Sequence, residues 1–378
     1  MIQTITLPNS KSILIRQMMV EFVLHSNVYS VDSDACSDVQ VVHNALQTIL
    51  RENLGNREVV IDCCDCGAAY RFLMALLSVT PGSWCLTGTP RLLQRPMREL
   101  VEVLTAIGGA IAPSGEGWHI EGKPLRAAQL TMDCRRSSQF ASALLLIAPK
   151  LGLQHLQITP EFFGSADYVQ LTRVCAPWQV EVPPLPNALP PLGMIGDWSA
   201  ALFWYAMAAL HPQQKYLFPN LSLLSAQGDS IIAQWFHKLG VESIETPEGV
   251  CVSASPQMNI PSLTMDVAAH PDVVPVLSAV ACLMPADFTF LHVGNLIYKE
   301  SNRLSALMEQ LAPFAEIMEL EDGTLRIRGR AERPQKLCSF QTHHDHRLAM
   351  AFLLFGHPEA LDDVACLAKS YPRLLEIT

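Results

Sequence analysis

Six times along this sequence a short turn of polar residues or glycine runs into a helix-length stretch of small apolar residues. Ser12 leads into Ile13–Val23, Gly67 into Tyr70–Ser78 and Ser138 into Phe140–Ala148. Ser199 leads into Ala200–Leu210, Asp272 into Val273–Leu283 and His346 into Leu348–Phe355. The starts recur about every 55–75 residues, a fitting size for a repeated α/β unit. Strand-like stretches lie between them, at Val59–Asp62, Leu130–Asp133, Leu153–Ile158 and Thr324–Ile327. Six units shared three and three make two similar domains, and 378 residues exceed one ordinary core. The proline-rich run Val182–Gly193 lies near the midpoint and reads as an interdomain crossing.

Charge narrows the range of partners. The formal net charge is −10 and only 16% of residues are charged. Nucleic acid and anionic membrane surfaces both require an extended basic field, so neither is expected as a partner. No basic flank precedes a long apolar run at the N-terminus, no plastid-type leader is seen, and no apolar stretch approaches the ~20 residues that span a bilayer. The cytoplasm is the expected compartment. The eleven cysteines read as reduced thiols. Cys63-Cys64-Asp65-Cys66 lacks the second ligand pair of a zinc site, and strand alternation would scatter the ligands of His343-His344-Asp345-His346, so no metal is expected.

A few convergent basic side chains can still bind a small anion. Helix N-termini offer free backbone N–H groups and the positive end of the helix dipole. Lys11-Ser12 and Ser137-Ser138-Gln139 add an ammonium, hydroxyls and an amide at such starts. Each alone is an ordinary cap. Arg16 and Arg71, however, lie about one turn into apolar helices, where a guanidinium must find an anion or a carboxylate. Arg95 sits in a proline-bounded loop, Lys299-Glu300-Ser301-Asn302-Arg303 sets an acid between two bases, and His346-Arg347 opens the last helix. So many basic groups at turn-to-helix junctions favour shared anion binding over isolated salt bridges. Glu300 and Arg303 are also spaced as an ordinary i, i+3 pair, and Trp198 reads as core.

These segments resemble the 5-enolpyruvylshikimate-3-phosphate (EPSP) synthase family over nearly the whole chain. The matches, in the family's order, are Leu7-Pro8-Asn9-Ser10-Lys11-Ser12, Gly67…Arg71, Leu86-Thr87-Gly88…Pro90-Arg91…Arg95-Pro96 and Ser137-Ser138-Gln139-Phe140. Gly196-Asp197-Trp198-Ser199, Pro271-Asp272, Lys299-Glu300…Arg303-Leu304, Asp345–Met350 and Lys369-Ser370-Tyr371-Pro372 follow. The resemblance implies an α/β fold of two similar domains, each of three βαβαββ units in an inside-out α/β barrel, with the active site in the cleft between them. It implies chain crossings near Ser10 and near Ile195–Asp197. One domain then comprises residues 1–10 with 197–378, carrying the phosphoenolpyruvate side and the acid–base groups. The inserted domain, 11–196, carries the shikimate 3-phosphate side.

The reaction implied transfers the enolpyruvyl group of phosphoenolpyruvate to the 5-hydroxyl of shikimate 3-phosphate through a tetrahedral ketal. It uses positioning and proton transfer, without metal or organic cofactor. By the same resemblance Ser137, Ser138 and Ser165 hold the phosphate of shikimate 3-phosphate, with Lys299 nearby. Ser12 and Arg16 take its carboxylate, Asp272 its hydroxyls, and Asn295 completes the set. Gln139 lies between the substrates. Arg95, Lys369 and the Gly67 backbone receive the phosphate of phosphoenolpyruvate, and Arg303, Arg347 and Lys11 its carboxylate. Lys11, Asp272, Glu300 and His346 are the catalytic set, with His346 orienting Glu300. A monomer is expected.

The sequence departs from the family at Asn9, Ile15, Asp65, Ala68, Gln94, Ser301-Asn302 and His344, and it is shorter than most members. None of these changes removes an ionisable group from the chemistry. Gly67 is retained, so sensitivity to glyphosate, an inhibitor of this family, is expected. The competing readings are the sister transferase acting on UDP-N-acetylglucosamine and a silent ligand-binding paralogue. Ser137-Ser138-Gln139 argues against the first and the complete catalytic set against the second.

Overall fold

The computed structural model describes residues 2–32, 35–51, 57–161, 163–184, 190–255, 262–330 and 339–377. Residues 185–189 of the proline-rich run thus lie outside the described residues. The chain divides into two compact units, Met1–Ser10 with Pro190–Thr378, and Lys11–Leu189. Each has its own apolar core.

Strand β1 (Ile2–Thr4) opens the first unit, and the inserted unit follows. Helices α1 (Lys11–His25) and α2 (Ser37–Arg51) begin the insertion. Next come β2 (Val59–Asp62), α3 (Gly67–Ser78), β3 (Gly82–Thr87), the short α4 (Pro90–Leu93), α5 (Arg98–Ala106), β4 (Ala110–Ser114) and β5 (Gly117–Gly122). These strands form a sheet of order β2-β3-β5-β4, with β2 and β3 parallel and the other pairs antiparallel. This is one complete βαβαββ unit. A shorter one follows: β6 (Gln129–Asp133), α6 (Gln139–Leu146), α7 (Ala148–Leu151), β7 (His155–Thr159) and α8 (Asp167–Cys175), with β6 and β7 parallel.

The chain then resumes the first unit with α9 (Trp198–Leu210), β8 (Lys215–Phe218), α10 (Ile232–His237), β9 (Val241–Thr246) and β10 (Gly249–Ala254). Their sheet has the order β1-β8-β10-β9, so the first strand of this βαβαββ unit comes from the other side of the insertion. A third complete unit comprises β11 (Leu263–Asp266), α11 (Val274–Leu283), β12 (Asp287–Leu291), α12 (Arg303–Leu311), β13 (Ala315–Glu321) and β14 (Thr324–Gly329), in the order β11-β12-β14-β13. Helices α13 (His346–Leu353) and α14 (Leu374–Ile377) close the chain. Around α13 the described residues keep one bridge, Phe340 to Leu361. Among the described residues, three of the six expected units are complete and three show fewer strands.

Hydrophobic pattern decides which element goes inside. Helix α9, Trp-Ser-Ala-Ala-Leu-Phe-Trp-Tyr-Ala-Met-Ala-Ala-Leu, is apolar all round, and nearly all of it is buried. A helix of that kind has no solvent face and must lie in a core. Helices α3, α6, α11 and α13 are buried in the same way. The strands instead alternate: Leu263, Met265, Phe288, Phe290, Leu325 and Ile327 point inward while their neighbours meet water. Helices are thus inside and sheets outside. Each such Leu, Ile or Phe leaving water contributes about 1.5–3 kcal/mol.

Equivalent glycines mark the repeat. A Cβ on Gly122, ending β5, would meet Thr80 O at 1.9 Å and Leu77 O at 2.3 Å. A Cβ on Gly329, ending β14, would meet Ala281 O at 2.0 Å and Met284 O at 2.4 Å. In both units the last strand ends against the carboxyl end of the buried first helix, too close for any side chain.

Candidate active site

In the unit that contains β1, charge gathers at the starts of α11, α12 and α13. Arg303 is the first residue of α12, whose start is capped by the Asn302 side chain accepting from Ser305 N at 3.2 Å. Its guanidinium is fully buried. Nε donates to Asp345 Oδ2 at 2.8 Å, Nη1 to Asp272 Oδ1 at 2.9 Å and Nη2 to Glu300 Oε2 at 2.7 Å. Burial alone would lower the pKa of Arg303, but Asp345, Glu300 and Asp272 together raise it. A lone buried cation would cost several kcal/mol, and three carboxylates offset that cost.

Asp345 caps α13 by accepting from Arg347 N at 2.9 Å, and it also accepts from Ser301 Oγ at 3.0 Å. Asp272 lies 3.3 Å from Lys299 Nζ and 3.7 Å from Arg347 Nη2. Burial pushes its carboxyl up, but Lys299, Arg303 and Arg347 hold it well below the ordinary range. It is an ionised acceptor at neutral pH. Arg347 Nη1 donates to Ser199 O at 3.2 Å. His346 is buried with Nδ1 4.0 Å from Asp345 Oδ1, and Lys369 is buried at the end of a 3-10 turn, Ala365–Lys369. Asn295 lies in the turn Val293–Tyr298, where its Oδ1 is buried without a hydrogen bond. The structure thus brings Asp272, Lys299, Glu300, Arg303 and Arg347 into one network.

In the inserted unit, Lys11 Nζ meets Asp38 Oδ2 at 2.9 Å. Arg16 is buried. Nε donates to Thr172 Oγ1 at 2.7 Å, Nη1 to Ser12 O at 2.8 Å and Nη2 to Tyr168 O at 3.1 Å. Phe72 and Tyr168 present their rings to the same guanidinium. All of these groups are neutral, so the buried cation keeps its field available to an anion. Burial lowers its pKa.

Gly67 opens α3 and has Arg95 directly over it: a Cβ there would lie 2.5 Å from Arg95 Nη1. Arg71 ties the two segments together, with Nη1 donating to Gly67 O at 3.2 Å and Nη2 to Pro96 O at 2.6 Å. At the start of α6, Ser137 Oγ accepts from Gln139 N at 3.3 Å. Ser138 is buried, and Gln139 Oε1 is buried without a hydrogen bond. Ser165 is buried with φ of 63°, a left-handed conformation rare for serine.

Four residues that the sequence reading did not assign support these groups: Asp38, Arg71, Asp229 and Asp345. Asp38 precedes the apolar Val39 and Val42 of its helix, which is the one local sign of a paired carboxylate there. Among the described residues, no three His, Cys, Asp or Glu side chains are placed to hold a metal ion. Cys66 Sγ instead caps α3 by accepting from Ala69 N, and burial pushes the Cys63 thiol up. Among the described residues no helix is long and apolar enough to cross a membrane.

Comparison with known proteins assigns the fold first. Two solved structures of EPSP synthase from Acinetobacter baumannii match 99% of this chain and 94% of theirs, with TM-scores of 0.67 and 0.64 at 17% identity. The chain shares their two-unit α/β fold. The family model for EPSP synthase (3-phosphoshikimate 1-carboxyvinyltransferase) matches residues 33–377. A 3-phosphoshikimate 1-carboxyvinyltransferase from Bacteroides fragilis is 34% identical across 98% of this chain and 92% of its own length. One from Methanosphaerula palustris is 30% identical across 83% of this chain and 77% of its own. The chain belongs to the EPSP synthase family.

Proposed function

We propose that this chain transfers the enolpyruvyl group of phosphoenolpyruvate to the 5-hydroxyl of shikimate 3-phosphate and releases phosphate. The observation that carries the reading is the single charge network at the starts of α11, α12 and α13, built from the residues that the family resemblance assigns to the chemistry. In the first step the 5-hydroxyl oxygen bonds to C2 of phosphoenolpyruvate, the hydroxyl proton leaves and C3 gains a proton. In the second, C3 loses a proton and the C2–O bond to phosphate breaks.

Asp272 is held ionised, which suits it to accept the hydroxyl proton. Lys11, paired with Asp38, is an ammonium donor, and Glu300 is the second acid–base group, with His346 beside Asp345. Arg303 is engaged by three carboxylates, so it takes a ligand carboxylate only by loosening its hold on Glu300 or Asp272. Arg347 and Lys11 serve the same carboxylate. Arg95, Lys369 and the Gly67 backbone take the phosphate of phosphoenolpyruvate. Shikimate 3-phosphate is held by Ser12, Arg16, Ser137, Ser138, Gln139, Ser165, Asn295 and Lys299.

Phosphate release from phosphoenolpyruvate with shikimate 3-phosphate, but not with UDP-N-acetylglucosamine, is the expected assay result. Turnover with the UDP-sugar alone, or with neither acceptor, overturns the reading. Gly67→Ala is expected to displace Arg95 and raise the KM for phosphoenolpyruvate by about 10-fold or more, the cost of weakening one charge-assisted hydrogen bond. Glyphosate inhibition of the wild type, relieved in that variant, is expected from the same crowding. An unchanged KM in steady-state kinetics would exclude it.

A further inference from the structure

One buried acid beside this network has no part in the mechanism above. Asp229 lies in a 3-10 turn, Gly228–Ile231, and its side chain is buried. Its Oδ2 accepts a hydrogen bond from Ser199 Oγ. The same turn region holds the start of α9 at two further points. Gln227 Oε1 accepts from Trp198 N at 3.1 Å, and Gln227 Nε2 donates to Gly196 O at 2.8 Å. Ser199 N is itself bound to Asp197 Oδ1 at 3.0 Å. The carbonyl of the pinned Ser199 accepts from Arg347 Nη1 at 3.2 Å, while Arg347 Nη2 faces Asp272.

We propose that Asp229 is a positioning residue for the reaction: by pinning Ser199 it fixes the carbonyl that aims the Arg347 guanidinium at the carboxylate of phosphoenolpyruvate. This rests on the role assigned to Arg347 above. A guanidinium that receives a planar carboxylate must be held to within a fraction of an ångström, since a bidentate contact tolerates little rotation. Arg347 reaches the Ser199 carbonyl from α13, and the Ser199 hydroxyl is fixed from a third element, so three segments meet at one residue.

The electrostatics agree with the geometry. Burial and the charge of Asp272 push the Asp229 carboxyl up, against opposing pulls from Arg347, Ser199 and His270. Asp272 is pushed the other way by its three cations. The two aspartates are thus driven in opposite directions. An upward shift at Asp229 weakens the competition of its carboxylate with the ligand for Arg347. The charged form is favoured at Asp272, where the chemistry uses it.

The test is a double-mutant cycle on the full-length chain, with KM measured separately for each substrate. Asp229→Ala and Ser199→Ala are each expected to raise the KM for phosphoenolpyruvate ~10-fold, with a smaller fall in kcat and little change in the KM for shikimate 3-phosphate. Asp229→Asn, which keeps an oxygen acceptor, recovers most of that loss. In an Arg347→Lys background the same changes have under ~2-fold effect, because the group being aimed is gone. Equal rises in both KM values, or additive effects with Arg347→Lys, overturn the inference. If Arg347→Lys leaves the KM for phosphoenolpyruvate unchanged, the assigned role of Arg347 fails instead. Ser199→Ala leaves Asp229 in place, so it decides the matter should Asp229→Ala not fold.

Discussion

Replacing Asp345 with alanine is expected to lower the melting temperature by roughly 8–24 °C, as followed by circular dichroism. Asp345 is fully buried and accepts two bonds from Arg303, one from Ser301 Oγ and one from Arg347 N. Alanine would leave the Arg303 guanidinium in the core with part of its donor set unmet. Breaking a buried ion pair by removing one partner costs about 3–5 kcal/mol. Losing the cap of α13 adds about 1 kcal/mol. In a unit of this size each kcal/mol moves the melting temperature by roughly 2–4 °C. Asp345→Asn keeps an oxygen acceptor and should lose less. A shift under 2 °C for the alanine variant would show that Arg303 finds other partners.

Glu300→Gln and Lys11→Ala should behave in the opposite way, with activity lost and fold kept. Both side chains are only partly buried, at 18% and 15% exposed, so neither change empties a core. Glutamine still offers Arg303 an oxygen but cannot exchange a proton. Removing a positioned acid–base group lowers kcat by about 100- to 10,000-fold. The decisive comparison is phosphate release beside thermal melting on the same samples. Near-normal kcat in both variants would refute the acid–base assignment, even if the enzyme turns over shikimate 3-phosphate.

The buried helices were the most legible part of the fold. All six turn-to-helix starts head helices at or within a few residues of the expected points, because a run such as Val274–Leu283 has no polar face to offer water. Which units show fewer strands among the described residues was not legible in detail. Whether a strand closes a sheet depends on partners far along the chain, as the pairing of Ile2 with Lys215 shows. For the candidate site, the sequence named the basic groups but not their tethers. Arg303 looked like a simple partner of Glu300, yet it also reaches Asp272 and Asp345, and that 42-residue separation leaves no local pattern. Arg71 stood in a family motif with no role, and only the structure shows it tying Gly67 to Pro96. Asp229, in the polar run Gln227-Gly228-Asp229-Ser230, gave no local signal of its burial.

The pairing of β1 with β8 carries a consequence for synthesis. Ile2 leaves the ribosome early, but its partner Lys215 is made 213 residues later. At ~5–20 residues per second that is a wait of roughly 10–40 s. During that time the three-residue strand is an unpaired edge of the kind that invites wrong pairing. Its shortness limits the hazard, since three residues give little purchase to a foreign strand. The nascent chain can therefore carry this edge unpaired while the insertion is made, and close the first sheet late.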